Sequence, residues 1–219
     1  MAMRKNPQAA KAVTKEAVGA RLRALRKRNG FTLKQLSKAS GVPLSTLSKM
    51  ELGQASLGYD KLLAIAAALG IDMSLLMQAR DQALPTGSLS GRAVKVDSVD
   101  HEEYASENYR HKFLFNEVGG KVMTPILATV LSRTSTEFSE FIKHPGQEFV
   151  FVLAGSVRIV FESGDTIDLK KNEAAYFDSS IGHVYLSSSN APARVLAVCS
   201  AHHGEDLMIE NAYPTSSLD

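Results

Sequence analysis

Apolar positions recur with a helical period between Val18 and Leu76 and with a strand-like period after Tyr109. Val18, Leu22 and Leu25 lie four and three apart, which leaves Arg21, Arg23, Lys27 and Arg28 on other faces of the same helix. Asn29-Gly30 stops it, and Thr32 with Gln35 forms a T-x-x-Q capping box that starts a second. Gly41 ends that helix, and Pro43 opens a third that runs to about Glu51 before Gly53. Ser56 or a neighbour is expected to cap a fourth over Leu62, Leu63, Ile65, Ala66 and Leu69, closed by Gly70. Asp72 then caps a short fifth over Leu75 and Leu76. This pattern predicts an all-α, five-helix domain over residues 15–78.

The second half reads as all-β. Runs rich in Val, Ile, Phe and Thr cover His111–Val118, Val122–Ser132, Glu137–Lys143, Glu148–Leu153, Ser156–Phe161, Ala174–Phe177, His183–Leu186 and Arg194–Cys199. Gly119-Gly120, Pro145-Gly146, Gly155, Ser163-Gly164-Asp165 and Asn190-Ala191-Pro192 punctuate them. Short strands at this spacing predict a β-sandwich or small β-barrel over residues 106–219. Residues 79–105, with the turn cluster Pro85-Thr86-Gly87-Ser88, read as a linker, and residues 1–14 as a mobile basic arm.

Composition sharpens this picture in two places. The net charge of +2 divides unevenly: residues 1–90 hold 14 Lys and Arg against 5 Asp and Glu, and the rest holds 11 against 18. A half carrying +9 joined to one carrying −7 suits one domain that meets a polyanion and one that does not. Cys199 is the only cysteine, so no intramolecular disulfide is possible and a reducing compartment fits. No apolar run approaches the roughly 20 residues of a membrane span. Met1 to Ala17 has no apolar signal core. The expected location is the cytoplasm.

Residues 33–53, LKQLSKASGVPLSTLSKMELG, place a helix, a glycine turn and a second helix at helix-turn-helix spacing. Leu36, Val42, Leu47 and Met50 can pack the pair together, leaving Leu44, Ser45, Ser48 and Lys49 outward. With RLRALRKRNGFTLKQLSKASGV and LLAIAAALGID in register, the stretch from Val18 to Met77 resembles the phage-repressor-like (XRE, Cro/cI) helix-turn-helix family. The resemblance implies that the second helix enters the major groove, with Leu44, Ser45 and Lys49 facing bases and Ser48 beside them. Lys49 can donate to guanine, and Leu44 can pack on a thymine methyl. Thr32, Lys34 and Lys38 become phosphate contacts, and Arg26 and Glu51 become an internal ion pair. Pro43 departs from the family, which has a polar capping residue there.

His144-Pro-Gly-Gln-Glu148, followed by Gly155, resembles the first cupin motif, and Phe177-Asp-Ser-Ser-Ile-Gly-His183 the second. In cupins, two histidines in a His-x-His pair, a glutamate and a later histidine converge on a divalent metal. Here His144, Glu148 and His183 match three of those positions, and Ile142 stands at the fourth. Two imidazoles and a carboxylate still suffice for one divalent metal such as Zn, Fe, Mn or Ni, and without metal the pocket can take an amine, amino acid or organic acid. His101 and His111 read as surface or satisfied histidines, His202 and His203 as exposed, and Cys199 as a core thiol.

The two resemblances together imply a sequence-specific transcriptional regulator of a bacterial type. It would be a homodimer binding double-stranded DNA at an inverted-repeat operator, with half-sites about 10 bp apart or a multiple of that. Its barrel would sense a small-molecule effector. The competing reading is a cupin metalloenzyme, of the dioxygenase or isomerase class, fused to a DNA-binding domain.

Overall fold

A computed structural model describes residues 12–77, 93–97, 103–119 and 121–200. His101, His202, His203, most of the expected arm and most of the expected linker lie outside the described residues.

The helical half follows its local signals. Helix α1 (Lys15–Arg28) is capped by Thr14, whose hydroxyl accepts from the Ala17 amide. Helix α2 (Leu33–Ser40) starts with both halves of the Thr32–Gln35 box in place and ends at Gly41 with φ 72°. Pro43 opens α3 (Leu44–Glu51) with no side-chain cap. Helix α4 (Tyr59–Leu69) is entered through Gly58, not Ser56, and also lacks a side-chain cap. A short α5 (Ser74–Met77) closes the set.

Leu22, Leu36, Leu47, Leu62, Ile65 and Leu76 are fully buried between these helices. Helix α1 passes so close to α3 that a Cβ on Gly19 would lie 2.0 Å from the Met50 carbonyl oxygen. Beside that crossing, Arg26 donates through Nε and Nη2 to the two oxygens of Glu51, at 2.5 and 2.8 Å, and through Nη1 to the Phe31 carbonyl at 2.8 Å. The expected internal ion pair is therefore formed as a two-pronged contact.

The β half is two facing sheets. The larger runs β1 (Ala12–Val13), β2 (Glu103–Ala105), β3 (Tyr109–Phe113), β4 (Met123–Val130), β10 (Ala193–Ser200), β5 (Gln147–Ala154) and β8 (Ala174–Asp178). The smaller is β7 (Thr166–Lys170), β6 (Ser156–Phe161) and β9 (His183–Ser187). Inward positions alternate as period-two geometry requires: Glu148, Val150 and Val152 on β5, and Val195, Ala197 and Cys199 on β10. Tyr109 bridges the sheets, its hydroxyl accepting from the Tyr185 amide at 2.9 Å.

Four sequence expectations change. Residues 137–143 are not a strand; Ser135–Glu137 form a 3-10 turn and Ile142 makes an isolated bridge to His183. The first expected strand stops at Phe113, because residues 114–117 turn and Phe115 takes φ 58°. Thr166–Lys170 is an additional strand, whose Thr166, Asp168 and Lys170 face outward around half-buried Ile167 and buried Leu169. Ala12 and Val13, placed in the arm, pair in parallel with Glu103 and Tyr104, placed in the linker.

The two halves share one apolar core. The Tyr104 hydroxyl accepts from the Leu57 amide at 2.7 Å and donates to the Leu57 carbonyl at 3.0 Å. Lys61 of α4 pairs with Glu140, and the ring of Tyr59 stacks on Phe113 at 6.2 Å.

The Arg26 and Glu51 side chains are only 9% and 5% exposed, so removing either leaves the other as an uncompensated buried charge. Arg26→Ala and Glu51→Ala are each expected to destabilise the protein by about 3–5 kcal/mol in denaturant unfolding. Values within error of wild type for both would contradict this.

Candidate functional site

Two surfaces carry the chemistry. The first lies on α2 and α3. Leu47 and Met50 point into the helical core, which turns Leu44, Ser45 and Lys49 outward; Leu44 is 47% exposed despite being apolar. Ser48 is half-buried at the edge of that face. Lys34 and Lys38 are exposed on α2. Thr32 is exposed too, but its hydroxyl is engaged with Gln35.

The second is a cavity of about 50 Å³ inside the barrel, reached by side chains from both halves of the chain. Glu148 enters from β5, and Cys199 is its Cα partner on β10. His183 opens β9, and Tyr185 follows on the same face two residues later. His144 sits in the loop before β5, where its amide donates to the Ser179 carbonyl at 3.0 Å. All three sequence-identified residues thus meet: His144 Nε2 lies 3.0 Å and His183 Nε2 3.3 Å from the same oxygen of Glu148. The other oxygen accepts from the Tyr185 hydroxyl at 2.6 Å.

Three further residues complete the cavity. Tyr59 is the first residue of α4, and its ring meets His144 edge-on at 5.0 Å. Nothing in the local sequence could assign a helical-domain residue to a barrel interior. Tyr185 was findable, since period two puts it on the face of His183. His111 is a correction: it is neither at the surface nor satisfied. It is 7% exposed, lies between Tyr109 and Phe113, lines the cavity, and its Nδ1 has no hydrogen-bond partner.

The electrostatics centre on Glu148. Burial pushes its carboxyl up, but hydrogen bonds from His144 and His183 and the charges of those rings outweigh burial and hold it well below the usual carboxylate range. Burial drives the Tyr59, Tyr185 and Cys199 protons on more tightly, and the Glu148 charge adds to that. Burial pushes His111 down to about 4, against a smaller upward pull from Glu148. The cavity is therefore an apolar space in which one carboxylate is held ionised by the polar groups around it.

The donor set fits a divalent metal. The Ile181 carbonyl, 2.9 Å from His183 Nδ1, can only accept, so Nδ1 carries the proton. Nε2 then faces a carboxylate oxygen at 3.3 Å, a contact that needs either a second proton on the ring or a cation between the two. Donors about 2.1 Å from one ion and at right angles lie about 3 Å apart. The two histidine–glutamate separations match that edge, but the two imidazoles do not form with Glu148 a set whose donor atoms all lie within 4.8 Å of one another. A carbonyl fixing the remote nitrogen of an imidazole is also the usual outer support of a metal-binding histidine.

Known proteins resemble this chain in both of its parts. Residues 22–76 match the family model for a helix-turn-helix, and residues 134–199 that for a cupin domain. The chain is 24% identical over 186 residues to the HTH-type transcriptional regulator PuuR of Escherichia coli (strain K12), covering 85% of this chain and 94% of that protein. The crystal structure of an HTH_3 family transcriptional regulator from Vibrio cholerae shares the fold, with a TM-score of 0.58 and 19% identity over 86% of this chain and 97% of that one. Hydroxypropylphosphonic acid epoxidase from S. wedmorenis superposes less well, with a TM-score of 0.46 and 17% identity over 86% of this chain and 100% of that one. Residues 22–76 thus form a helix-turn-helix region, and residues 134–199 belong to a cupin domain. Among the described residues no helix is long and apolar enough to cross a membrane.

His111 yields a test by pH. Its folded value, about 4, lies below the ordinary 6.5, so the unfolded chain binds more protons between them. The contribution to stability is complete above about pH 6.5 and is lost as pH falls toward about 4, by up to about 3 kcal/mol. Urea unfolding at about pH 7 and pH 4.5 should show a smaller acid loss for His111→Phe than for wild type. Equal losses would mean that His111 does not titrate as a buried neutral ring.

Proposed function

We propose that this helix-turn-helix and cupin protein is a DNA-binding transcriptional regulator, whose barrel binds a small effector and whose operator affinity changes in response. The regulator likeness over most of the chain supports the DNA-binding role. The observation that carries the coupling is Tyr59. It belongs to the helical half, follows α3 after one short loop, and lines the same cavity as Glu148. An occupant that fills the cavity meets Tyr59, and through it the start of α4.

DNA contact is assigned to α3 and its surroundings. Leu44, Ser45 and Lys49 meet base edges, Ser48 supports them, and Lys34 and Lys38 meet phosphates. Thr32 is dropped to a helix-capping role because its hydroxyl is engaged with Gln35. One recognition helix reads few bases, so the functional unit is a homodimer on an inverted repeat with half-sites about 10 bp apart or a multiple. A cytoplasmic site of action follows from that role.

The effector is a cation or is held through one. The cavity offers one carboxylate, met by His144, His183 and Tyr185, in otherwise apolar surroundings. A divalent metal held by His144, Glu148 and His183 answers that charge, and so does a small amine. A bound metal would polarise or directly ligate an incoming anionic group. The chain's own groups orient Glu148 through Tyr185 and exclude bulk water.

Two experiments test this. Lys49→Ala should weaken operator binding by about 1–3 kcal/mol and relax the preference at one position per half-site. A uniform loss over all sequences would reassign Lys49 to phosphate, and no loss would remove α3 from the groove. Glu148→Gln should abolish the change in operator affinity on adding divalent metal or small amines, while operator binding by the ligand-free protein stays close to wild type. A variant that still responds fully would show that the barrel cluster is not the sensor.

A further inference from the structure

We infer that Cys199 is a metal donor of the barrel, joining His144 and Glu148 around one divalent cation with a thiolate where Ile142 offers no ligand. This rests on the sensing site proposed above and names what occupies it.

Among the described residues, the group whose donor atoms all lie within 4.8 Å of one another is His144, Glu148 and Cys199. All three are buried, at 3%, 3% and 4% exposure. The fold makes the grouping: Cys199 and Glu148 are direct cross-strand partners, and both point inward because their strands alternate in phase. The sequence pattern alone favours an inert core thiol, but its surroundings differ from those of its inward neighbours Val195 and Ala197. The thiol meets the Glu148 carboxylate and the Tyr59 hydroxyl.

A second observation points to a missing occupant. His144 Nδ1 and His111 Nδ1 are both buried without a hydrogen-bond partner, and both rings line the cavity. Buried polar atoms are rarely left unpaired, and two around one cavity indicate space for a ligand shell.

The chemistry balances. On binding M²⁺ the Cys199 S–H bond breaks, an S–M bond forms and the proton leaves to solvent. The thiolate and the Glu148 carboxylate then carry two negative charges against the two positive charges of the ion, so no net charge remains buried. A thiolate with imidazole and carboxylate selects zinc or iron over magnesium, calcium or manganese.

Titration of the reduced, metal-free full chain with Co(II) tests this directly. Sulfur ligation gives an intense near-ultraviolet charge-transfer band that imidazole and carboxylate do not. Cys199 is the only cysteine, so such a band can come from no other thiol. The expected result is that band together with visible d–d absorption at one Co(II) per chain. In Cys199→Ala and Cys199→Ser the band disappears, and affinity falls on the order of tenfold or more as His144 and Glu148 are left to hold the ion. Zn(II) should displace Co(II) and erase the wild-type spectrum. Visible bands without charge transfer in the wild type would overturn the assignment of Cys199 and leave a metal-binding sensor standing. No binding of Co(II) or Zn(II) would overturn the metal itself and leave the barrel to an organic cation. If either variant failed to fold, the wild-type spectrum would decide alone.

Discussion

The barrel interior is organised around one ionised carboxylate in an apolar space. Glu148 is held on β5 among Val150 and Val152, and nearly every polar group near it is turned toward it. Tyr185 takes one oxygen, and the two histidines share the other. Water would satisfy such a charge cheaply, and a hydrocarbon interior does not. The two sheets therefore deliver donors to a single point, Glu148 from β5 of one and His183 and Tyr185 from β9 of the other. Truncating Glu148 would remove the reason for that convergence, and removing its donors would leave the charge stranded.

The same constraint explains why the helical half is involved. The barrel has an inner wall contributed by Tyr59, and the core that buries Tyr59 runs on without interruption into the helices. Tyr104 fastens the loop before α4 by holding both the amide and the carbonyl of Leu57. A change inside the barrel thus has a short physical route to the entry of α4. It passes through packed rings and the two hydrogen bonds that the Tyr104 hydroxyl makes to the Leu57 backbone.

Much of this was legible from residue order alone, for identifiable reasons. The caps at Thr32 and the stops at Gly41 and Gly70 act locally, so the helices α1 to α3 fall where their signals place them. His144, Glu148 and His183 were legible because a motif preserves their spacing. Illegible were features that depend on distant partners. Residues 137–143 look like a strand but have a partner only at Ile142. Gly58 enters α4 because the chain before it is fixed by Tyr104 rather than by a local cap. His111 looks like a surface residue until β3 turns it toward β4 and the cavity. Thr32 was read as a phosphate contact, yet its hydroxyl is occupied by the very box that identified it.

The two-residue pairing of Ala12 and Val13 with Glu103 and Tyr104 has a mechanical consequence. It attaches the chain just ahead of α1 to the outer edge of the larger sheet, while Leu57 and Tyr59 attach the entry to α4 at the cavity. Together with the shared apolar core, these two attachments tie the helical domain to the barrel on both sides of α3 in sequence. The recognition helix α3 lies in the sequence between those two anchors. A displacement of either anchor is thereby passed to one end of the segment that carries α3.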